Sequence, residues 1–321
     1  MTAGTGAPVS TADRLQRSVI GVVLLTVNQR QKTLRCIRSF QPLDADFCRI
    51  VLWDNGSTDD TPDAVRVEFP DVLVHHAPQN VGVASGRNGG ADLAISAFDP
   101  KFLLFVDNDM TVSPGFMHLL LAPFENDDQV AQTTGKIAWL TDDGDDDPRQ
   151  RVIYGAGGCR VRFWLGDTSH IGYGEVDHGQ YDKLGPCVVS GGCMMVRTSV
   201  FKALGGFDSI YDPYGPEDLD FGLRARKSGY SAQYVPEALV FHDPQPGRSF
   251  EGGHYTETYA AQRMRTWMVF MARHATVIEK IGFFLVGGPY RLVRLIGREC
   301  RRGNLQAIKG LVQGATRRIK T

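Results

Sequence analysis

The sequence predicts an α/β fold, a mixed but mainly parallel, Rossmann-like sheet flanked by helices. Apolar runs of strand length alternate with segments of helical spacing through the first hundred residues, the pattern of βαβ units with right-handed crossovers. Polar turn-forming loops follow the runs, and one run, Phe102-Leu103-Leu104-Phe105-Val106, ends in Asp107-Asn108-Asp109. Two carboxylates at the C-terminal tip of a buried strand lie where open α/β sheets bind ligands.

The elements follow in order. Val19 to Val27 is a first buried strand, ended by Asn28-Gln29-Arg30. Residues 31–40 set Leu34, Ile37 and Phe40 at helical spacing. Ile50-Val51-Leu52-Trp53 is a second strand, broken by the loop from Asp54 to Asp59, which offers Asp or Thr as N-cap for a helix from Pro62 to Phe69. Val72 to His75 is a short third strand, Gly82 to Ala97 a loop passing into a helix, and residues 102–106 the fourth strand. Loops after strands one, two and four share one sheet edge, so Asn28, Asp54 and Asp109 converge.

The second half is less regular. Residues 110–115 read as a turn that the preceding acids could simply cap. Residues 141–150 form an acidic, Pro-containing loop, a solvated insertion because like charges in sequence resist burial. Residues 151–185 are rich in Gly, Asp, His and Tyr without a period, a long irregular segment able to contact an acceptor. Val188 to Val196 reads as a strand interrupted by Gly191-Gly192, Leu219 to Ser228 as a helix stopped by Gly229, and Tyr234 to Phe241 as a last short strand before His242-Asp243-Pro244. From about Tyr255 the chain is helical. Residues 291–320 carry Arg291, Arg294, Arg298, Arg301, Arg302, Lys309, Arg317, Arg318 and Lys320 against Glu299, with an apolar face that includes Leu292, Leu295 and Leu311. Such a basic amphipathic stretch fits contact with an anionic membrane surface, or a helix packed on the domain with a solvated basic face.

Bulk properties narrow the class. At 321 residues, with 42% apolar and 22% charged residues, the chain can bury a large soluble core. A net charge of −1 gives no general case for nucleic acid as a partner. Six cysteines without a C-x-x-C pair argue against a disulfide framework or zinc site and fit reduced cytoplasmic thiols. Residues 1–17 are small and polar, a disordered leader with no apolar signal region. Ile281 to Tyr290 is too short to span a bilayer, which needs about 20 apolar residues. The expected location is cytoplasmic, or peripheral at the inner face of the cell membrane; oligomeric state is left open.

Four groups carry chemistry beside the Asp107–Asp109 acids, whose hard oxygens suit Mg²⁺ or Mn²⁺ bound with a diphosphate. Thr26-Val27-Asn28 and Asp54-Asn55-Gly56-Ser57 offer both donors and acceptors for a pyrimidine edge, although the second is also common turn chemistry. Asn80 to Gly90 is rich in small residues that let backbone amides approach an anion, and Arg87 can pair with a phosphate. It is neither a dinucleotide fingerprint nor a P-loop. Tyr214-Gly215-Pro216-Glu217-Asp218-Leu219-Asp220-Phe221 supplies acids that either cap a helix or include a general base. His242 is either structural or a metal ligand.

In this order the groups resemble the inverting family-2 glycosyltransferases of GT-A fold, and in particular the rhamnosyltransferase-like members. The matching pieces are Thr26-Val27-Asn28, Asp54 to Asp59, Asn80 to Gly89, Val106 to Asp109, Gly191 to Arg197, Gly205-Gly206-Phe207-Asp208, Tyr214 to Arg224, and His242, over roughly residues 19–243. Val27 stands where the family has Tyr, and Gly215-Pro216 precedes Glu217. The resemblance implies that Asn28 and Asp54 bind the nucleotide base, with Thr26, Asn55, Gly82, Asn88, Asn108 and Gly192 lining the nucleotide-sugar site. Arg87 would lie near the diphosphate. Asp107 would contact ribose or metal, Asp109 and His242 would ligate Mg²⁺ or Mn²⁺, and Asp218 would be the catalytic base beside Glu217.

It implies a GT-A domain over 18–250, divided into a nucleotide-binding half (18–110) and an acceptor and catalytic half (111–250), with a helical basic extension over 251–321. The donor expected is a UDP- or dTDP-sugar, and the acceptor bears a hydroxyl group in polysaccharide, glycolipid or other glycoconjugate synthesis. A sugar nucleotidyltransferase would carry a Gly- and Arg-rich loop with a lysine directly after the first strand, where this chain has Asn28 to Lys32 entering a helix. A non-catalytic nucleotide-sugar-binding protein would have no need of Asp109, Glu217, Asp218 and His242 together.

Overall fold

A computed structural model describes residues 20–41, 47–140, 151–185, 192–243 and 256–316. The leader at 1–17, the acidic insertion at 141–150, Gly191, Pro244 and the last basic residues Arg317, Arg318 and Lys320 lie outside the described residues. The first half follows its hydrophobic pattern closely. Strands β1 (Ile20–Thr26), β2 (Cys48–Asp54), β3 (Leu73–His76) and β4 (Phe102–Asp107) form a parallel set in the order β3-β2-β1-β4, connected by helices α1 (Arg30–Phe40), α2 (Thr61–Glu68) and α3 (Val83–Phe98).

Strand alternation places the core. Ile20, Val22 and Leu24 of β1 pack with Leu34, Ile37 and Phe40 of α1 on one face. Val23 with Leu103 and Phe105 of β4 packs on the other face with Ala84 and Ala91 of α3. Helix α3 sits close to the sheet because its inner face is nearly bare: a Cβ on Gly86 would lie 2.6 Å from a Leu25 methyl, and one on Gly90 2.6 Å from a Val23 methyl.

Beyond β4 the sheet becomes mixed. The supposed turn at 110–115 contains a short strand, β5 (Met110–Val112), followed by α4 (Phe116–Asn126) and the buried β6 (Val130–Trp139), which the sequence pattern did not assign. Residues 151–185 contain β7 (Ile153–Ala156) and the ribbon β8 (Cys159–Arg162)–β9 (Asp167–His170). The segment is tied to the sheet by Lys136 of β6, whose ammonium lies 2.9 Å from Asp177 and 2.6 Å from Asp182.

Strand β10 (Cys193–Arg197), α5 (Thr198–Ala203), α6 (Glu217–Lys227) and β11 (Ser231–His242) complete the sheet, with β10 antiparallel to β4 and β11 parallel to β6. Strand β11 is longer than the sequence pattern indicates because it continues past Pro236 through a register shift between Val235 and Leu239.

The C-terminal part is helical, as expected: α7 (Glu257–His274), α8 (Val277–Gly282), a π turn at Phe283–Gly287, α9 (Gly288–Arg301) and α10 (Leu305–Thr316). Helix α7 is joined to α6 by Asp220, a fully buried acid that accepts from His274 Nε2 at 2.7 Å, Arg224 Nε at 2.7 Å and Tyr211 Oη at 3.0 Å. Burial alone would raise the Asp220 pKa, but the His274 and Arg224 hydrogen bonds outweigh it and hold the carboxyl below its ordinary range. No helix among the described residues is long and apolar enough to cross a membrane.

Candidate active site

The loops at the C-terminal ends of β1 and β2 are bonded mainly to one another. Asn28 takes a positive φ of 53°, and its Oδ1 accepts the Thr58 and Asp59 amides at 2.7 and 3.2 Å while its own amide donates to Ser57 Oγ. Asp54 is fully buried, accepting from the Ser57 hydroxyl and amide and lying 2.5 Å from His76 Nδ1. Asn55 donates to Asn80 Oδ1 and the Gly82 carbonyl and accepts the Val81 amide, fixing the entry to α3. Asn108 joins the same frame by donating to Thr26, Gln29 and Thr33. Of these predicted nucleotide residues Asn28 is the exposed one, and its Nδ2 carries none of these bonds.

The small-residue segment 80–90 has a different local use from the amide cradle that its composition suggests. The anion at the N-terminus of α3 is the chain's own Asp212, which accepts the Ala84 amide at 2.9 Å and the Ser85 hydroxyl at 2.5 Å. Gly82, at φ 96°, has no room for a side chain beside that carboxylate. Asn88 bonds both the amide and the carbonyl of Phe207, at 2.9 and 2.7 Å, and so fastens α3 to the Gly205-Gly206-Phe207 turn.

Arg87 is also spoken for. It is 7% exposed and bridges two acids from distant parts of the chain, Asp107 at the end of β4 (2.7 Å) and Glu217 at the start of α6 (2.9 Å). Burial, then the like charge of neighbouring Asp218, push the Glu217 carboxyl up to about 8, with Arg87 opposing. Burial also raises Asp107, with Arg87 opposing it and Asp109 adding to it. Asp107 is further placed by its amide, which donates to the Gly192 carbonyl at 2.9 Å. Asp218, next to Glu217, is partly exposed, and its Oδ1 accepts the Leu219 amide at 2.8 Å.

Asp109 and His242 meet across the β5–β11 pairing, in which His242 is opposite Met110. His242 Nε2 lies 3.5 Å from Asp109 Oδ2, and the Asp243 amide donates to the Asp109 carbonyl at 2.9 Å. Asp243 is itself pinned to α1 by Arg35 at 2.6 Å. A carboxylate oxygen beside an imidazole nitrogen, both partly exposed, is a donor pair that Mg²⁺ or Mn²⁺ accepts, with remaining positions for diphosphate oxygens and water. No group of three ligating side chains occurs among the described residues, and Asp107 is turned toward Arg87. The pair therefore fits a cation that arrives with its nucleotide.

Sequence reasoning missed the aromatic wall around His242. Tyr154 stacks on it at 4.5 Å, Trp139 meets it edge-on at 5.2 Å, and Tyr173 and His170 extend the wall past Tyr154. Burial lowers the His170 pKa; Asp218 opposes the shift and His242 adds to it. Only the richness of 151–185 in His and Tyr pointed to this segment.

An open α/β sheet with paired acids at one edge, a carboxylate–imidazole pair and an acid-bearing helix N-terminus defines a nucleotide-diphospho-sugar transferase of GT-A fold. The profile described as glycosyl transferase family 2 matches residues 21–205, more than half of the chain, and one described as the N-terminal domain of galactosyltransferase matches 177–243. The chain belongs to glycosyl transferase family 2 and is a glycosyltransferase.

An N-acetylglucosaminyl-diphospho-decaprenol L-rhamnosyltransferase of Mycobacterium tuberculosis is 26% identical over 319 residues, covering 91% of this chain and 98% of its own. A pre-mycofactocin glycosyltransferase of the same species is 26% identical over 226 residues, 70% of this chain and 42% of its own. The fold is similar to that of GalNAc-T7 with UDP, GalNAc and Mn²⁺ (TM-score 0.59, 15% identity), across 79% of this chain and about half, 48%, of that one. It is also similar to the mannosyltransferase PcManGT of Pyrobaculum calidifontis with GDP-Man and Mn²⁺ (TM-score 0.55, 16% identity), across 93% and 80% of the two chains.

Proposed function

We propose that the chain transfers a sugar, with inversion, from a UDP- or dTDP-linked donor to an acceptor hydroxyl, with Mg²⁺ or Mn²⁺ held by Asp109 and His242. The observation that carries this reading is the Arg87 bridge: it holds the Asp107 end of β4 and the Glu217-Asp218 end of α6 on one cleft. Direct displacement at an anomeric carbon needs stabilisation of the leaving diphosphate on one side and a base on the other. A bound divalent cation would supply the former by neutralising charge that grows on the diphosphate. Asp218 takes the proton of the attacking hydroxyl; Glu217, buried against Arg87, positions it. Asn28 turns its amide toward the nucleotide base, while Asp54, Asn55, Asn88 and Asn108 act by fixing the loops around it.

The mycobacterial relative is named for moving L-rhamnose to a lipid-diphosphate-linked N-acetylglucosamine, so dTDP-rhamnose and a saccharide acceptor in cell-envelope glycoconjugate synthesis are the first pair to try. Trp139, Tyr154 and Tyr173 offer aromatic faces against which an acceptor ring packs.

The test is release of nucleoside diphosphate from a panel of nucleotide sugars with Mn²⁺ or Mg²⁺. Asp218→Asn is expected to keep donor affinity and lower turnover by about a hundredfold or more, the usual scale of general-base catalysis. EDTA is expected to abolish release. Near-normal turnover of the variant refutes the base assignment, undiminished rates in EDTA refute the cation, and a product of retained anomeric configuration refutes inversion.

A further inference from the structure

The helix that begins at Val277 presents an apolar stripe to solvent rather than to the domain. Helix α8, the π turn and α9 are continuous, 25 residues from Val277 to Arg301. Val277, Ile278, Ile281 and Leu285 recur at helical spacing, and Ile278 and Leu285 are 82% and 74% exposed. At the π turn the backbone takes one extra residue per turn, which sets the helical phase back by about 100°. Val286, Tyr290 and Val293 thereby fall in with the earlier stripe instead of turning to the opposite side, and Val293 is 70% exposed. The inner face of α9, Leu292, Leu295 and Ile296, is the part that packs on α7 and α10. Trp164, 51% exposed at the tip of the β8–β9 ribbon, lies against Gly282 and Gly287 and extends the stripe.

The charges beside this stripe are mainly positive. Between Val277 and Thr316 there are seven Lys and Arg against two acids, Glu279 and Glu299. Glu279 is engaged in the Thr276 capping box, and Glu299 is buried against Arg298. Arg294, Arg301 and Arg302 are exposed. A second copy docked through this face would set cations against cations. An anionic lipid surface satisfies both features, taking up apolar side chains and a Trp–Tyr pair at headgroup depth while its phosphates meet the arginines.

We infer that the Val277–Val293 face, with Trp164 and the flanking arginines, docks this protein on an anionic membrane surface, lying in the interface without spanning it. The sequence pattern pointed to residues 291–320; the structure moves the contact N-terminal, to a long apolar stripe left open among the described residues. The location suits the proposed chemistry. The β8–β9 ribbon packs on this helix at Trp164 and Gly166, and β9 runs from there about 13 Å to His170 beside the Asp218 and His242 cleft. On the glycosyl-transfer reading, an acceptor anchored in the membrane would meet the cleft at headgroup height. The docking itself does not rest on that reading.

The test is flotation of the full chain with phosphatidylcholine vesicles, with and without phosphatidylglycerol. The protein is expected to float with the anionic vesicles and to be released as salt rises. Ile278→Glu/Leu285→Glu, at positions exposed in the folded chain, is expected to weaken binding at least about tenfold with an unchanged circular dichroism spectrum. Arg294→Glu/Arg301→Glu is expected to remove the preference for phosphatidylglycerol. Donor hydrolysis stays at the wild-type level in both variants, which separates a failure of docking from a failure of the sugar chemistry. Wild-type protein that stays at the bottom of the gradient overturns the inference. So does flotation of the apolar variant like wild type, or a wild-type dimer in light scattering that Ile278→Glu/Leu285→Glu dissolves.

Discussion

Replacing Arg87 with methionine keeps an unbranched apolar stem and removes the bridge between Asp107 and Glu217. The two contacts contribute unequally, because at pH 7 the Glu217 carboxyl still holds its proton and accepts from Arg87 as a neutral group. Asp107 is 40% exposed in its side chain, so water screens that contact and it counts for about 1 kcal/mol or less. Glu217 is 6% exposed, and its bond from a buried guanidinium falls in the range of about 1.5–3 kcal/mol for hydrogen bonds to charged groups. Together the expected loss is about 1.5–4 kcal/mol at pH 7, a fall in melting temperature of roughly 2–6 °C for a chain of this length.

The loss must also depend on pH. The wild-type Glu217 carboxyl sits at about 8 against an ordinary 4.5, so the native state holds a proton that the unfolded chain has released, and stability falls as pH rises between these values. Above 8 the wild type stops losing stability. Without Arg87 the carboxyl rises further, so the variant goes on losing it, by about 1.4 kcal/mol per pH unit. Urea unfolding at pH 7 and 9 measures both effects, and Glu217→Gln in the Arg87→Met background should cancel the pH increment. A loss below about 1 kcal/mol, or one that is equal at the two pH values, refutes the bridge as described.

Two further outcomes follow from the opposite side of the cleft. Asp109→Asn and His242→Ala should each weaken Mn²⁺ binding in the presence of nucleoside diphosphate by about tenfold or more, read by calorimetry, with little change in melting temperature of the metal-free protein. Equal Mn²⁺ affinity in both variants would remove the pair as the cation site. Tyr154→Ala should raise the acceptor KM while the donor Kd stays within about twofold, because uniform binding of one substrate is lost; a larger change in donor Kd than in acceptor KM would take Tyr154 out of the acceptor wall.

The sheet was legible where one physical signal acts alone. Strands β1, β2 and β4 are buried on both faces and read as unbroken apolar runs, and Pro216 announces the start of α6 within a residue. Strand β6 was not, because its residues Gln132, Thr133, Thr134 and Lys136 are polar yet buried, each held by a partner that is distant in sequence: Met194, Leu120, Cys193 and Asp177. The same reason hides β7 to β9, which gain their edges from β6 and from each other rather than from a hydrophobic period. Asp212 escaped notice too. Its use depends on a loop folding back 127 residues in sequence to cap α3 at Ser85.

Within the site, residue types announced the chemistry but not the division of labour. An Asn or Asp at a strand end can face a ligand or satisfy its neighbours, and the sequence cannot separate the two because both uses favour the same short polar side chains. Hydrogen-bonding capacity separates them. Asp54 has both oxygens engaged in full burial, so it cannot turn to a substrate without leaving a buried group unpaired at a cost of about 1–3 kcal/mol, and Asn88 has its oxygen and its amide nitrogen each engaged by the Phe207 backbone. Asp109, Asp218 and His242 sit partly exposed, at the ends of elements that those buried bonds hold in place. A cleft in which charge must be stabilised as it develops works best when the groups that meet the substrate do not have to be reorganised. On the proposed reading the buried asparagines and aspartates supply that rigidity, so the ordered set of motifs identifies the family even where its polar residues are spent on the frame, as Asp54 and Asn55 are.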